Sequence, residues 1–124
     1  HPAEIRQSAL SIRELYSDKR ITAIFQPHLY TRTRDFYQEF ADSLSLFDDV
    51  ILTDIYPARE LPIPGVTSQL IADNLKPGMP CTLCLKGEVT DIVRQRCNDI
   101  EILVLLGAGD LESQANEITD IMKD

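Results

Sequence analysis

Between Gln26 and Arg34 the chain places His28, Tyr30, Arg32 and Arg34 in close succession. Guanidinium forks grip carboxylate or phosphate through paired hydrogen bonds. An imidazole holds or passes a proton near neutral pH, and a phenol both donates and accepts hydrogen bonds. The chemistry on offer is the reading of an anion, and both arginines can face it if the segment is a short polar loop. Each residue also has a plainer use. The arginines can pair with Asp35, Glu39 or Asp42 on the surface, and His28 beside Pro27 can simply anchor its loop.

Two further stretches carry unusual residue sets. Gly107-Ala108-Gly109-Asp110 follows an apolar run and is similar to half of a dinucleotide-binding fingerprint. The third glycine is absent, and Asp110 stands where a bound phosphate wants a bare helix N-terminus. A tight turn with an aspartate cap is the ordinary outcome; alternatively, the glycines let backbone amides approach a small carboxylate or peptide-like ligand. From Asp54 to Gly65 runs a long loop holding Pro57, Pro62 and Pro64 together with Tyr56 and Arg59. A connection of that length in a compact domain usually has a function. Its prolines limit the entropy lost if it closes on a ligand.

Other chemistries find less support. Cys81-x-x-Cys84 lies in an apolar run without a second pair, so it reads as small thiols packed on a strand. Three cysteines, an odd number, argue against a disulfide framework. Asp54 at a strand end suggests a phospho-acceptor, yet no acidic pair follows the first strand and no lysine follows the fourth. No phosphate loop, metal cluster or nucleophile with an adjacent base completes a catalytic set.

The elements that must position these residues alternate from end to end. Pro2 suits a helix start, and Ile5, Ala9, Ile12 and Tyr16 then keep helical spacing. Ile21 to Phe25 is a β-branched and aromatic strand. The polar loop ends at Asp35, where a helix begins with Phe36, Phe40, Leu44 and Phe47 on its apolar face. Val50 to Leu52 is the second strand. Thr67 or Ser68 caps a third helix with Leu70, Ile71 and Leu75 inward, and Pro77-Gly78 ends it. Cys81 to Leu85, a helix from Glu88 to Cys97, a strand from Ile100 to Leu106 and a last helix with Leu111, Ala115, Ile118 and Met122 complete the chain. This alternation predicts one α/β domain over residues 1–124, with a mainly parallel sheet and helices on both faces. A strand order of 3-2-1-4 would open a crevice between the His28–Arg34 loop and the Gly107–Asp110 turn.

Composition narrows the partners. A chain of 124 residues can bury a core without disulfides or metals. Its net charge of −8 argues against nucleic acid or an anionic membrane as partner and makes Arg32 and Arg34 a local exception. No apolar run approaches the ~20 residues that span a bilayer, so a cytoplasmic location is the default expectation. The abrupt start at His1 suggests a piece of a longer protein.

The loop Gln26-Pro27-His28-Leu29-Tyr30-Thr31-Arg32-Thr33-Arg34-Asp35 closely resembles a signature of the Mur ligases. So do His1-Pro2-Ala3-Glu4-Ile5, Asp54-Ile55-Tyr56-Pro57-Ala58-Arg59-Glu60 with Pro62-Ile63-Pro64-Gly65, and Gly107-Ala108-Gly109-Asp110. The blocks follow the family's order along the whole chain. They match the branch that adds L-alanine to UDP-N-acetylmuramate better than the sister branch that attaches a preformed tripeptide.

The resemblance implies the C-terminal, Rossmann-like domain of a three-domain enzyme, closing over a site shared with the N-terminal and central domains. It also implies ATP and Mg2+, both bound mainly by the central domain, and amide formation through an acyl phosphate in peptidoglycan precursor synthesis. By matching motif positions, His28 and Arg32 face the substrates as catalytic candidates. Tyr30, Arg34, Tyr56, Arg59, Gly107, Ala108 and Gly109 are substrate-binding candidates, and His1 lies near the nucleotide. The family commonly has an arginine where this chain has Leu29, so one substrate-reading charge is lost. The chain alone is expected to be inactive. A non-catalytic ligand-sensing α/β domain is the alternative from a different class.

Overall fold

The computed structural model describes residues 1–107 and 110–123. Its centre is strand β1 (Ile21–Phe25), whose five residues are all buried. β2 (Asp49–Leu52) and β4 (Ile102–Leu106) pair with it on either side, and β3 (Cys81–Leu83) lies beyond β2. All three pairings are parallel, as the alternation of elements predicts, and the order is β3-β2-β1-β4, the one that opens a crevice between the exits of β1 and β4. Parallel neighbours cannot be joined by hairpins, so helices cross the faces of the sheet.

Side chains on a strand alternate between faces, and two cores follow. Ile21, Ala23 and Phe25 point to one side with Val50 and Leu52. They meet Ile5 and Ala9 of α1 (Pro2–Leu15), Phe40, Ala41 and Leu44 of α2 (Tyr30–Leu44), and Ile71 of α3 (Ser68–Ala72). Ile24 and Ile51 point the other way, onto Val89 and Val93 of α4 (Val89–Arg96), Leu111 of α5 (Asp110–Ser113), and Ile118 and Ile121 of α6 (Ala115–Lys123). The result is a three-layer α/β/α domain.

Element boundaries moved in several places. β3 stops at Leu83, and a 3-10 turn at Lys86–Glu88 separates it from α4; β4 begins only at Ile102. The largest correction concerns α2. It begins at Tyr30, well before Asp35, so Tyr30, Arg32 and Arg34 sit on its first turns and not on a loop. Phe36, expected in the apolar stripe, is 38% exposed and has non-helical backbone angles that kink the helix. Phe40 and Leu44 keep their inward places, and Phe47 is buried just past the helix end. Tyr16, expected on the buried face of α1, lies exposed at its C-terminal cap.

The exits of β1 and β4 are held together at one point. Gln26 donates its backbone N–H to Leu106 O at 3.1 Å, continuing the ladder past the end of β1. Gly107 then turns away with φ of 126°. A Cβ there would stand 2.8 Å from Gln26 O, a backbone atom that cannot swing aside. Glycine is required for both the dihedral and the space. We expect Gly107→Ala to destabilise the domain by about 2 kcal/mol or more. Gly87→Ala, where nothing lies within 4 Å, serves as the control and should stay within about 0.5 kcal/mol. Urea-unfolding midpoints of the two variants measure the difference.

Candidate anion-binding cleft

At the C-terminal ends of β1 and β4, where the winding of the sheet reverses, lies a cleft of about 340 Å³. Phe25, Phe40, Leu105 and Leu106 form its apolar floor, and Gln26, His28, Arg32, Gly107, His1 and Glu4 supply its polar atoms. Strand ends diverge from their covering helices at such a reversal, so the opening follows from topology and not from any single side chain.

The start of α2 decides which arginine reaches the cleft. Successive helical residues turn by roughly 100°, so i and i+2 point nearly apart. Arg32 lines the cleft, and among the described residues it makes no hydrogen bond or ion pair. Arg34 lies outside it, with Nε 2.8 Å from Asp35 Oδ1 on the surface. The expectation that both arginines face one anion is therefore corrected. The surface pairing weighed against it describes Arg34.

His28 lines the cleft while packed from behind by Tyr56, with ring centroids 5.6 Å apart and planes 23° from parallel. The two segments are also zipped through the backbone: Leu29 N donates to Tyr56 O and Tyr56 N to Pro27 O, both at 2.8 Å. Tyr56 thus supports the histidine instead of lining the cleft itself. Tyr30 is half-buried at the head of α2, and Arg59 is exposed on the long loop; neither lines the cleft. His1 does, and its Nδ1 accepts a hydrogen bond from Ala3 N at 3.3 Å, capping α1. Gly107 lines the cleft as well, whereas Ala108 and Gly109 fall outside the described residues.

Two residues that shape the site, Gln26 and Glu60, entered the sequence reading only as members of matched blocks, with no role assigned. Gln26 is 1% exposed, and its side-chain Oε1 accepts from Leu111 N at 3.2 Å, joining the end of β1 to α5. Glu60 reaches from the long loop to the first turn of α2. Thr31 N donates to its Oε1 at 3.1 Å, and Thr31 Oγ1 donates to its Oε2. Partners so distant in the chain leave no local pattern. The deficit that Glu60 fills, a first turn of α2 with no acidic residue, shows only once the helix is seen to begin at Tyr30.

The other candidates are structural. Cys81, Cys84 and Cys97 are free thiols. Burial and the carboxylates of Glu88 and Asp54 push the Cys84 thiol up to about 11, opposite to what a reactive thiolate needs. No group of three metal-ligating side chains occurs among the described residues. The polar lining fits an anion, and the described residues give Mg2+ no ligand cluster.

The Thr31 hydroxyl, followed by the amides of Thr31 and Tyr30, holds the Glu60 carboxylate below its ordinary value of 4.5. A carboxylate depressed by folding adds stability that is complete above its unfolded value and fades as pH falls through the folded one. The stability gap between the native chain and Glu60→Gln should therefore be constant above pH 4.5 and narrow below it. Urea midpoints of both chains, measured from neutral pH down through the acid range, test this.

No protein-family model matches the chain. The chain is 60% identical over 122 residues to UDP-N-acetylmuramate–L-alanine ligase of Phocaeicola vulgatus; the match covers 98% of this chain and 26% of that protein. The ligase of the same name from Parabacteroides distasonis is 52% identical over 123 residues, with the same two coverages. Among solved structures, UDP-N-acetylmuramate-alanine ligase MurC from Thermotoga maritima superposes with a TM-score of 0.71 at 23% identity, covering 99% of this chain and 25% of that one. A Haemophilus ducreyi domain, provisionally assigned to a UDP-N-acetylmuramate:L-alanyl-γ-D-glutamyl-diaminopimelate ligase, gives 0.67 at 19% identity, covering 98% of this chain and 84% of that one. At those identities the two structures speak to the fold alone. The sequence relationship goes further: the chain belongs to the Mur ligase family, on the side of the UDP-N-acetylmuramate–L-alanine ligases, and spans about a quarter of the length of the relatives it matches.

Proposed function

We propose that this chain is the C-terminal domain of an ATP-dependent ligase that joins L-alanine to UDP-N-acetylmuramate in the cytoplasm. The observation that carries the proposal is an unpaired Arg32 beside His28 in the cleft at the sheet's reversal point, within a chain 60% identical to a ligase of that name. The N-terminal and central domains of the same chain would supply the UDP-sugar site and the ATP phosphate loop, and this domain would close over both. The absence of any helix long and apolar enough to cross a membrane among the described residues is compatible with a soluble enzyme.

The reaction divides into two transfers. A carboxylate oxygen of the muramoyl group attacks the γ-phosphorus of ATP, and the bond to the bridging oxygen breaks to release ADP. The amine of L-alanine then attacks the acyl phosphate carbon, inorganic phosphate leaves with the C–O bonding pair, and the amine sheds a proton. Both steps move negative charge between oxygens, so fixed positive groups matter more than covalent chemistry from the protein. Arg32, with no carboxylate to satisfy it, is placed to meet either the alanine carboxylate or the transferred phosphoryl group. His28, held by Tyr56, offers a ring nitrogen beside the same anion. Mg2+ would neutralise phosphate charge when bound, but its ligands are assigned to the central domain.

In the full-length protein, Arg32→Ala should lower kcat/KM by about 100-fold. Arg34→Ala, which removes an exposed pair with Asp35 and a weaker attraction to Glu60, should stay within about twofold. Phosphate release with UDP-N-acetylmuramate, ATP and L-alanine reports both. A full-length protein inert toward L-alanine would end the ligase assignment, and wild-type turnover by Arg32→Ala would remove Arg32 from the site.

A further inference from the structure

We propose that Glu60 is a positioning residue: it grips the first turn of α2 from the long loop and so sets where Arg32 stands. The proposal rests on the ligase function above for its assay. It begins from a deficit at the helix start. The N-cap of α2 is Leu29, which offers no side-chain hydrogen bond, and no acidic residue lies in the first turn. The free N–H groups at a helix N-terminus need an acceptor, and a carboxylate there also complements the helix dipole. Glu60 meets both needs from another loop, holding the amide and the hydroxyl of Thr31, the residue immediately before Arg32.

The kink makes this anchor matter. Phe36 departs from helical angles, so the turn carrying Arg32 is separated from the part of α2 fixed in the core by Phe40, Ala41 and Leu44. With no hydrogen bond or ion pair of its own among the described residues, the Arg32 guanidinium is placed by its backbone. Two attachments hold that backbone to the long loop. One is the pairing of Leu29 with Tyr56, and the other is Glu60. Misplacing a charge by an ångström is enough to cost up to about 100-fold in rate.

A double-mutant cycle in the full-length enzyme separates positioning from general structural support. Glu60→Ala should lower kcat/KM about tenfold when Arg32 is present and by less than about twofold in the Arg32→Ala background. Melting temperatures identify any variant that has lost its fold. Thr31→Val should reproduce part of the loss, and Thr31→Ser, which keeps the hydroxyl, should restore it. Glu60→Ala within twofold of wild type, or the same tenfold loss in both backgrounds, overturns the positioning role while leaving the ligase assignment intact. Full activity of Arg32→Ala overturns the positioning role together with the place of Arg32 in the site, whereas a wild-type protein inert toward L-alanine overturns the ligase assignment.

Discussion

The close approach of the β4 exit to the β1 exit is the constraint on which the cleft depends. The parallel ladder runs from Ile21↔Ile102 to Phe25↔Leu106 and gains one more rung through Gln26 N and Leu106 O. Beyond that rung the two chains must part within a single residue, and Gly107 does so against the Gln26 backbone. The Gln26 side chain then fixes α5 by accepting from Leu111 N. A larger residue at 107 would push β4 and α5 from β1 together, and the cleft lining would move with them. The catalytic proposal therefore stands on backbone geometry before any charged group is considered.

Upon that frame the charge distribution is selective. In a chain of net charge −8, most arginines are spent on the fold. Arg13 pairs with Asp48 at 3.0 Å and donates to the carbonyls of Lys19 and Leu46, closing the opposite end of the sheet. Arg96 donates to Thr82 Oγ1, and Arg94 lies 3.5 Å from Asp91 and from Glu117. Arg32 differs in facing a cleft where, among the described lining residues, Glu4 is the one carboxylate. A guanidinium without a partner among the described residues, exposed at a concave site, is available to a ligand anion.

The parallel sheet was legible because its strands are short apolar runs separated by helical periods; the strand order was not, because right-handed crossovers allow more than one order. The candidate residues were legible as types, since histidine and arginine after a strand are conspicuous in an acidic chain. Their directions were not. Pro27 suggested an irregular loop continuing to Asp35, but Leu29 already starts α2 by adopting φ of 73°, an unfavourable angle that no propensity scale assigns to leucine. Once the helix starts there, helical geometry sends Arg34 away from Arg32. The contacts of Tyr56 and Glu60 were not legible, because their partners lie across the fold at His28 and Thr31.

Leu29 also bears on the arginine that Mur ligases commonly carry at this position. Its backbone is pinned on both sides: the N–H donates to Tyr56 O, and the carbonyl accepts from Thr33 N at 3.1 Å and from Thr33 Oγ1 at 2.9 Å. Those bonds hold the positive φ whatever side chain is attached, since none of them involves the leucine side chain. A strain of about 1 kcal/mol or more at such an angle persists only where surrounding contacts over-determine it. The fold thus accommodates leucine at a position where the resemblance implies arginine. Arg34 does not line the cleft and pairs with Asp35 on the surface. Among the described residues Arg32 is the one guanidinium lining the cleft, and the loop contacts at Leu29 and Thr31 place it.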